Sequence, residues 1–220
     1  MERALRQFLS DPWFLTAWAV LVAASLAVLG RDLARKNPQV HGLMKWVWAF
    51  TVAYSGPFGL AIYWVSGRRQ IARDSDWRRA FRSVAHCYSG CGGGEIAGVS
   101  VTMGLLSLGT WWVVGVTFVL AYGAGLALTV GPLMQEGESF HEAARDAVYS
   151  ETASITVMEV VAISVDQWFA GNAGLGDRIF WSSLVVSLTL GLIAAYPVNV
   201  LLIKRGIKAG MASPRAAGAS

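Results

Sequence analysis

The chain has 220 residues, of which 55% are hydrophobic and only 15% charged, with a formal net charge of +4 and a mean hydropathy of +0.47. A soluble domain of this length carries about 25% charged residues, so there is too little polar surface here to solvate a water-soluble globule; a bilayer supplies the missing apolar solvent. The basic residues lie in short segments between apolar runs, where they act as orientation signals and not as a nucleic-acid footprint, and two cysteines, Cys87 and Cys91, are too few for a disulfide scaffold.

The expected fold class is all-α: a polytopic transmembrane helical bundle of about six spans, in the inner (plasma) membrane. The first apolar run, residues 13–29, exceeds the roughly 7–15 residues of a signal-peptide core and has no small-residue cleavage site after it, so it reads as a retained helix. The second, 46–66, is uncharged and interrupted by Ser55, Gly56 and Pro57; the missing backbone donor of Pro57 predicts a kink or break. Residues 67–82 are basic and read as a positive-inside loop, with helical spacing that also suits a helix lying on the inner membrane surface.

The third run, 83–108, carries His86, Cys87, Cys91 and Glu95 in a glycine-rich setting. Only Gly109 and Thr110 separate it from the fourth, 111–134, so the two form either a tight hairpin or a re-entrant segment. The fifth, 147–169, holds Glu151, Met158, Glu159 and Asp166, and the sixth, 179–203, is uncharged with Pro197 near its end. Six crossings from a cytoplasmic N-terminus put Arg3, Arg6, the cluster from Arg68 to Arg82, Arg145 and the basic residues after 203 on one side. Arg31, Arg35, Lys36, Lys45 and Arg178 fall on the other. The excess favours both termini in the cytoplasm. The chain then divides into two helices and a basic loop (1–79), a four-helix core (80–204), and a basic and then disordered tail (205–220). Most of the ten tryptophans flank helix ends, as in an interfacial belt.

Polar groups at membrane depth carry the functional signal, since a charge at mid-bilayer costs about 2.5–3.5 kcal/mol and persists only where it meets protein, water or a ligand. At about 100° per residue, Cys87, Cys91 and Glu95 share one side of a helix, together with Gly90, Gly94 and Gly98, a small-residue ridge that admits a close neighbour. If the third and fifth helices both start at the cytoplasmic face, Glu95 and Glu159 reach about 18 Å deep, near the bilayer centre. Thiolate, thioether and imidazole suit copper and zinc, and carboxylates neutralise a cation or carry protons. The expected metal ligands are therefore His86, Cys87, Cys91, Glu95, Glu151, Met158 and Glu159, with His86 and Glu151 at the mouth. The alternative for the same residues is packing thiols and a structural hydrogen-bond network.

The stretch from His86 through Cys87, Gly90, Cys91, Gly92 and Gly94 to Glu95, with the run from Gly131 to Met134 and Glu151 followed by Met158 and Glu159, resembles a bacterial membrane family, domain of unknown function 4396, over about residues 80–204. That resemblance implies membrane location and that the two motif groups belong together; it implies no activity. The functional expectation is binding, and movement, of a soft transition-metal ion, copper or zinc, with no organic cofactor. The lipid bilayer and the metal are the expected partners, with a second copy or a membrane partner docking on Gly90, Gly94 and Gly98. Catalysis is not expected: no hydrolase triad, P-loop or dinucleotide fingerprint is present. The rival readings are a membrane thiol oxidoreductase and an accessory subunit of a larger membrane complex.

Overall fold

A computed structural model describes residues 2–135, 137–171 and 173–215. Among them the regular structure is helical throughout: α1 (Glu2–Ser10), α2 (Pro12–Arg35), α3 (Gly42–Ile62, continued by a wide turn at Tyr63–Gly67), α4 (Asp76–Val99, continued by a second wide turn at Ser100–Leu105), α5 (Thr110–Gln135), α6 (Phe140–Phe169) and α7 (Arg178–Lys204). Local chemistry sets several of these limits. Asp11 caps α2 by accepting from the Trp13 amide, with Pro12 at the first helical position, where its missing N–H costs nothing. Ser139 and Glu142 form a reciprocal capping box at the start of α6.

Four of these helices, α2, α5, α6 and α7, are long and apolar enough to cross a membrane, and the protein is a helical membrane protein. Aromatic residues mark two levels on its outer face. Trp13, Trp111, Trp112, Trp168 and Trp181 are exposed at one end; Trp46, Trp64, Trp77, Phe140 and Tyr149 are exposed at the other. Helix α4 is the polar one, and it packs against α3, α5, α6 and α7. Its small residues permit this. A Cβ on Gly90, Gly94 or Gly98 would meet the α5 backbone at Ala124, Leu120 or Thr117, within 2.5–2.8 Å. The ridge expected to receive a second copy or a partner is therefore filled from within the chain, by α5 running antiparallel to α4.

The second apolar run does not cross the bundle. Gly56 has φ 53° and ψ −128°, a conformation open only to glycine, and α3 reverses there. After the reversal, a Cβ on Gly59 would lie 2.6 Å from the Thr51 carbonyl, and the Trp48 and Tyr63 rings stack edge-on at 5.3 Å. Residues eight and fifteen positions apart touch only in an antiparallel hairpin. Its tip rests on Trp18 and Val22 in the middle of α2, while Ser55 and the Tyr88 hydroxyl of α4 share a 2.7 Å hydrogen bond. Pro57 begins the return half, where its lost N–H is harmless.

The hairpin changes which loops share an end. Asp32, near the end of α2, accepts from Arg68, Tyr63 and Asn37, so residues 32–45 and 63–75 lie together. The segment after α7 returns to that end, with the Arg82 guanidinium donating to the Met211 carbonyl. Helix α1 lies at the opposite end, where Arg6 donates to the Trp168 carbonyl near the end of α6. The six spans and the shared side of the termini are not confirmed: four helices are long and apolar enough to cross, and the run 46–66 folds back at Gly56. Of 18 lysines and arginines, only Arg3, Arg6 and Arg178 lie at the α1 end. Lys208, Ala209 and Met211 are tied to the bundle; of the disordered tail expected from Ala212, residues 212–215 are described without regular helix and 216–220 lie outside the described residues.

Candidate functional site

Polar side chains from α4, α6 and α7 meet inside the bundle at successive levels. Nearest the basic end is a five-residue cluster. The Cys87 thiol donates to Glu151 Oε2 at 2.8 Å, and Lys208 Nζ donates to the same oxygen at 2.5 Å. Lys208 also donates to Asn199 Oδ1 at 2.9 Å and lies 3.9 Å from the Cys87 sulfur. Asn199 in turn donates to Ser154 Oγ at 2.5 Å and to the Ala195 carbonyl at 3.1 Å. All five residues are buried, Lys208 being only 7% exposed. A charge-assisted contact with the carboxylate and a full set of neutral partners offset the cost of bringing an ammonium inside.

His86 stands one residue away on α4 and faces α5. Its Nε2 lies 2.9 Å from the Leu128 carbonyl, which can only accept, so Nε2 carries the proton and Nδ1 is left as a buried lone pair without a partner among the described residues.

One turn further in, Cys91 packs against Gly125 and Ile155 and lies beside the Glu159 carboxylate without a well-formed hydrogen bond. Glu95 lies within electrostatic range of Glu159 and Asp166. Glu159 is 1% exposed and neither of its carboxylate oxygens has a hydrogen-bond partner among the described residues; Glu95 Oε2 is likewise unpartnered. Deeper still, Asp166 lines a cavity of about 180 Å³ with Met103, Thr110, Gln167 and Phe180, toward the α1 end. The groups on α6 recur every seven or eight residues, about two helical turns, which keeps them on the face turned to α4.

Six of the seven expected ligands thus face the interior in two groups, His86, Cys87 and Glu151 nearer the basic end and Cys91, Glu95 and Glu159 deeper in. Met158 is buried too, but its side chain packs on Gly191 of α7, because the adjacent position, Glu159, takes the face toward Cys91. The two cysteines are free thiols directed to different carboxylates. Among the described residues, no three His, Cys, Asp or Glu side chains gather into a metal cage. A single convergent ligand set is therefore not formed; the groups are strung along the helices.

Sequence reasoning missed Lys208 and Asn199. Lys208 counted there as one more charge in a basic loop, and a buried asparagine in an uncharged helix, Asn199, was the one available signal that α7 also turns a polar group inward.

The architecture and this internal polar line define a helical membrane protein with titratable groups from end to end of its core. The chain belongs to the family described as domain of unknown function (DUF4396), whose model matches residues 76–208, from the first residue of α4 to Lys208. No curated protein and no solved structure matches the chain.

Proposed function

We propose that the protein is a cation carrier of the inner membrane, in which buried carboxylates exchange protons for a soft metal ion, copper or zinc. The observation that carries this is Glu159. A carboxylate buried in the bundle with no well-formed hydrogen bond, only the Cys91 thiol and a second acid beside it, is not sustained as a bare anion, so a proton or another cation must sit on it. A group that accepts either one is an exchange site. Cys91 adds a soft donor at the same level, and Cys87 with Glu151 repeats the pairing nearer the basic end. Two protein ligands per level hold an ion loosely enough to release it, as passage requires.

Two further features support movement over storage. Irregular backbone at membrane depth is tolerated where it is packed in protein or lines a polar passage, and the α3 hairpin places such a segment against Tyr88 of α4. The cavity at Asp166 gives the line of acids an opening at the α1 end. The distribution of lysine and arginine makes the other end cytoplasmic. The reading is then five crossings, by α2, α4, α5, α6 and α7, with the hairpin dipping in from the cytoplasmic side and α1 outside.

The test is a reconstituted vesicle containing a trapped pH-sensitive dye. A zinc or copper(I) gradient is expected to drive proton movement with wild-type protein and not with Glu159→Gln. A proton leak without metal dependence would reduce the proposal to a proton path. Equal, ion-independent traces for both proteins overturn it.

A further inference from the structure

The cation nearest the cytoplasmic end of this line is already present, and it belongs to the chain. Helix α7 ends in a reversal: Gly206, at φ 70°, donates to the Ile203 carbonyl, and Ile207 donates to the Leu202 carbonyl. This pair of bonds turns the backbone back under the bundle. The turn delivers Lys208 into the buried space between α4, α6 and α7. The following residues are tied to α4: Arg79 donates to the Ala209 carbonyl, Arg82 donates to the Met211 carbonyl at 2.9 Å, and the Met211 amide donates to Ser83 Oγ at 3.0 Å. Arg82 is itself buried and fixed by Asp74 and the Ser66 carbonyl.

The acceptors around the Lys208 ammonium are a carboxylate oxygen, an amide oxygen and, at 3.9 Å, a thiol sulfur. Lysine offers only N–H donors, so every polar group around it presents an electron pair, as the lining of a cation site does. Remove the ammonium and the space left is bounded by Glu151 Oε2, Asn199 Oδ1 and Cys87 Sγ, with His86 within electrostatic range of Glu151.

We propose that this is a cation-binding site kept shut by its own tethered cation: the segment 206–211 is a plug, and Lys208 competes with a free soft cation for Glu151, Asn199 and Cys87. Lys208 and Asn199 are thereby site residues, one as the competitor and one as a ligand. The plug can stand whether or not the protein is a carrier; only its role as a gate rests on the transport reading. When the plug leaves, Cys87 becomes reachable from the cytoplasmic end and Glu151 loses its counter-ion, so an incoming cation restores the charge balance that Lys208 supplied.

The experiment follows alkylation of Cys87 by N-ethylmaleimide in detergent-purified full-length protein carrying Cys91→Ser, read by intact mass. Wild-type Lys208 keeps labelling slow. Lys208→Glu, which repels Glu151, is expected to raise the rate by about tenfold or more, the scale of a local opening in place of global unfolding. The charge-swapped pair Glu151→Lys with Lys208→Glu restores the slow rate, which a generally loosened protein does not do. Silver(I), a soft ion without redox chemistry under these conditions, slows labelling of the opened Lys208→Glu protein again. Unchanged labelling in a Lys208→Glu protein that keeps its elution volume and melting transition overturns the plug. Fast labelling that silver does not slow removes the cation site while leaving the plug. Neither readout uses transport, so a negative vesicle assay with positive labelling sinks the carrier reading alone.

Discussion

Asp32 and Arg68, 36 residues apart, are joined by two hydrogen bonds of 2.9 and 3.2 Å, which brings the end of α2 and the end of the α3 hairpin to one face of the bundle. The same carboxylate accepts from Tyr63 and Asn37, both at 2.7 Å, so the four residues lock the hairpin shut. Asp32→Ala leaves Arg68 without its partner inside a largely buried network and is expected to cost about 3 kcal/mol. Asp32→Asn, which keeps the shape and one acceptor, costs less. Thermal unfolding in detergent, compared for the two variants, checks the order.

The hairpin also predicts sidedness. In a protein with both native cysteines replaced by serine, Gln39→Cys and Ala72→Cys are labelled by a membrane-impermeant maleimide from the same side, and Gly176→Cys from the opposite side. All three positions are exposed. A full crossing by residues 46–66 would separate the first two.

Adjacent glycines in α4 separate packing from composition. A Cβ on Gly94 would sit 2.5 Å from the Leu120 carbonyl oxygen and 2.6 Å from the Ala121 Cα, both backbone atoms that cannot yield. On Gly93 the nearest atom is the Tyr54 hydroxyl at 3.7 Å. Gly94→Ala is therefore expected to destabilise by about 1–3 kcal/mol through forced separation of α4 and α5. Gly93→Ala leaves the melting temperature unchanged or slightly higher, since alanine favours the helix.

The two buried glutamates of α6 respond oppositely to neutralisation. Glu151→Gln leaves the Lys208 ammonium buried without its carboxylate and is expected to cost about 3 kcal/mol. Glu159→Gln keeps the shape beside the Cys91 thiol and removes a buried charge that has no well-formed hydrogen bond, so stability holds or rises while the exchange proposed for it stops. Paired melting curves decide this: a Glu159→Gln protein less stable than Glu151→Gln would mean that Glu159 has a structural partner.

What could be read from the residues follows from what the bilayer selects. The apolar runs, the tryptophan levels and the inward polar face of α4 are properties of composition and of a 3.6-residue period, and they stand in the sequence directly. The hairpin does not. Residues 46–66 are uncharged and long enough to span, and whether the chain kinks or reverses at Gly56 depends on one positive φ and on the Tyr88, Trp18 and Val22 surfaces that receive the tip. The basic residues at 31–45 held the missing signal, since moving them to the side of Arg68 leaves only three basic residues opposite. At the site, Cys91, Glu95 and Glu159 were legible because depth and face follow from spacing. Lys208 was not, because a lysine beyond the last apolar run reads as a loop charge until the Gly206 turn is known.

The polarity of α4 has a consequence for how the protein is made. Four helices are apolar enough to partition into lipid unaided, and α4 is not among them. A nascent α4 presenting Arg82, His86 and Glu95 has no favourable residence among acyl chains until a neighbour covers it. The brief link to Thr110 brings α5 out of the ribosome immediately afterwards, and the Gly90, Gly94 and Gly98 seam fits α5 closely enough for the two to insert as one hairpin. With α4 as a crossing, insertion is expected to be cooperative at that step, a defect in the α4–α5 seam being felt as failed insertion before instability.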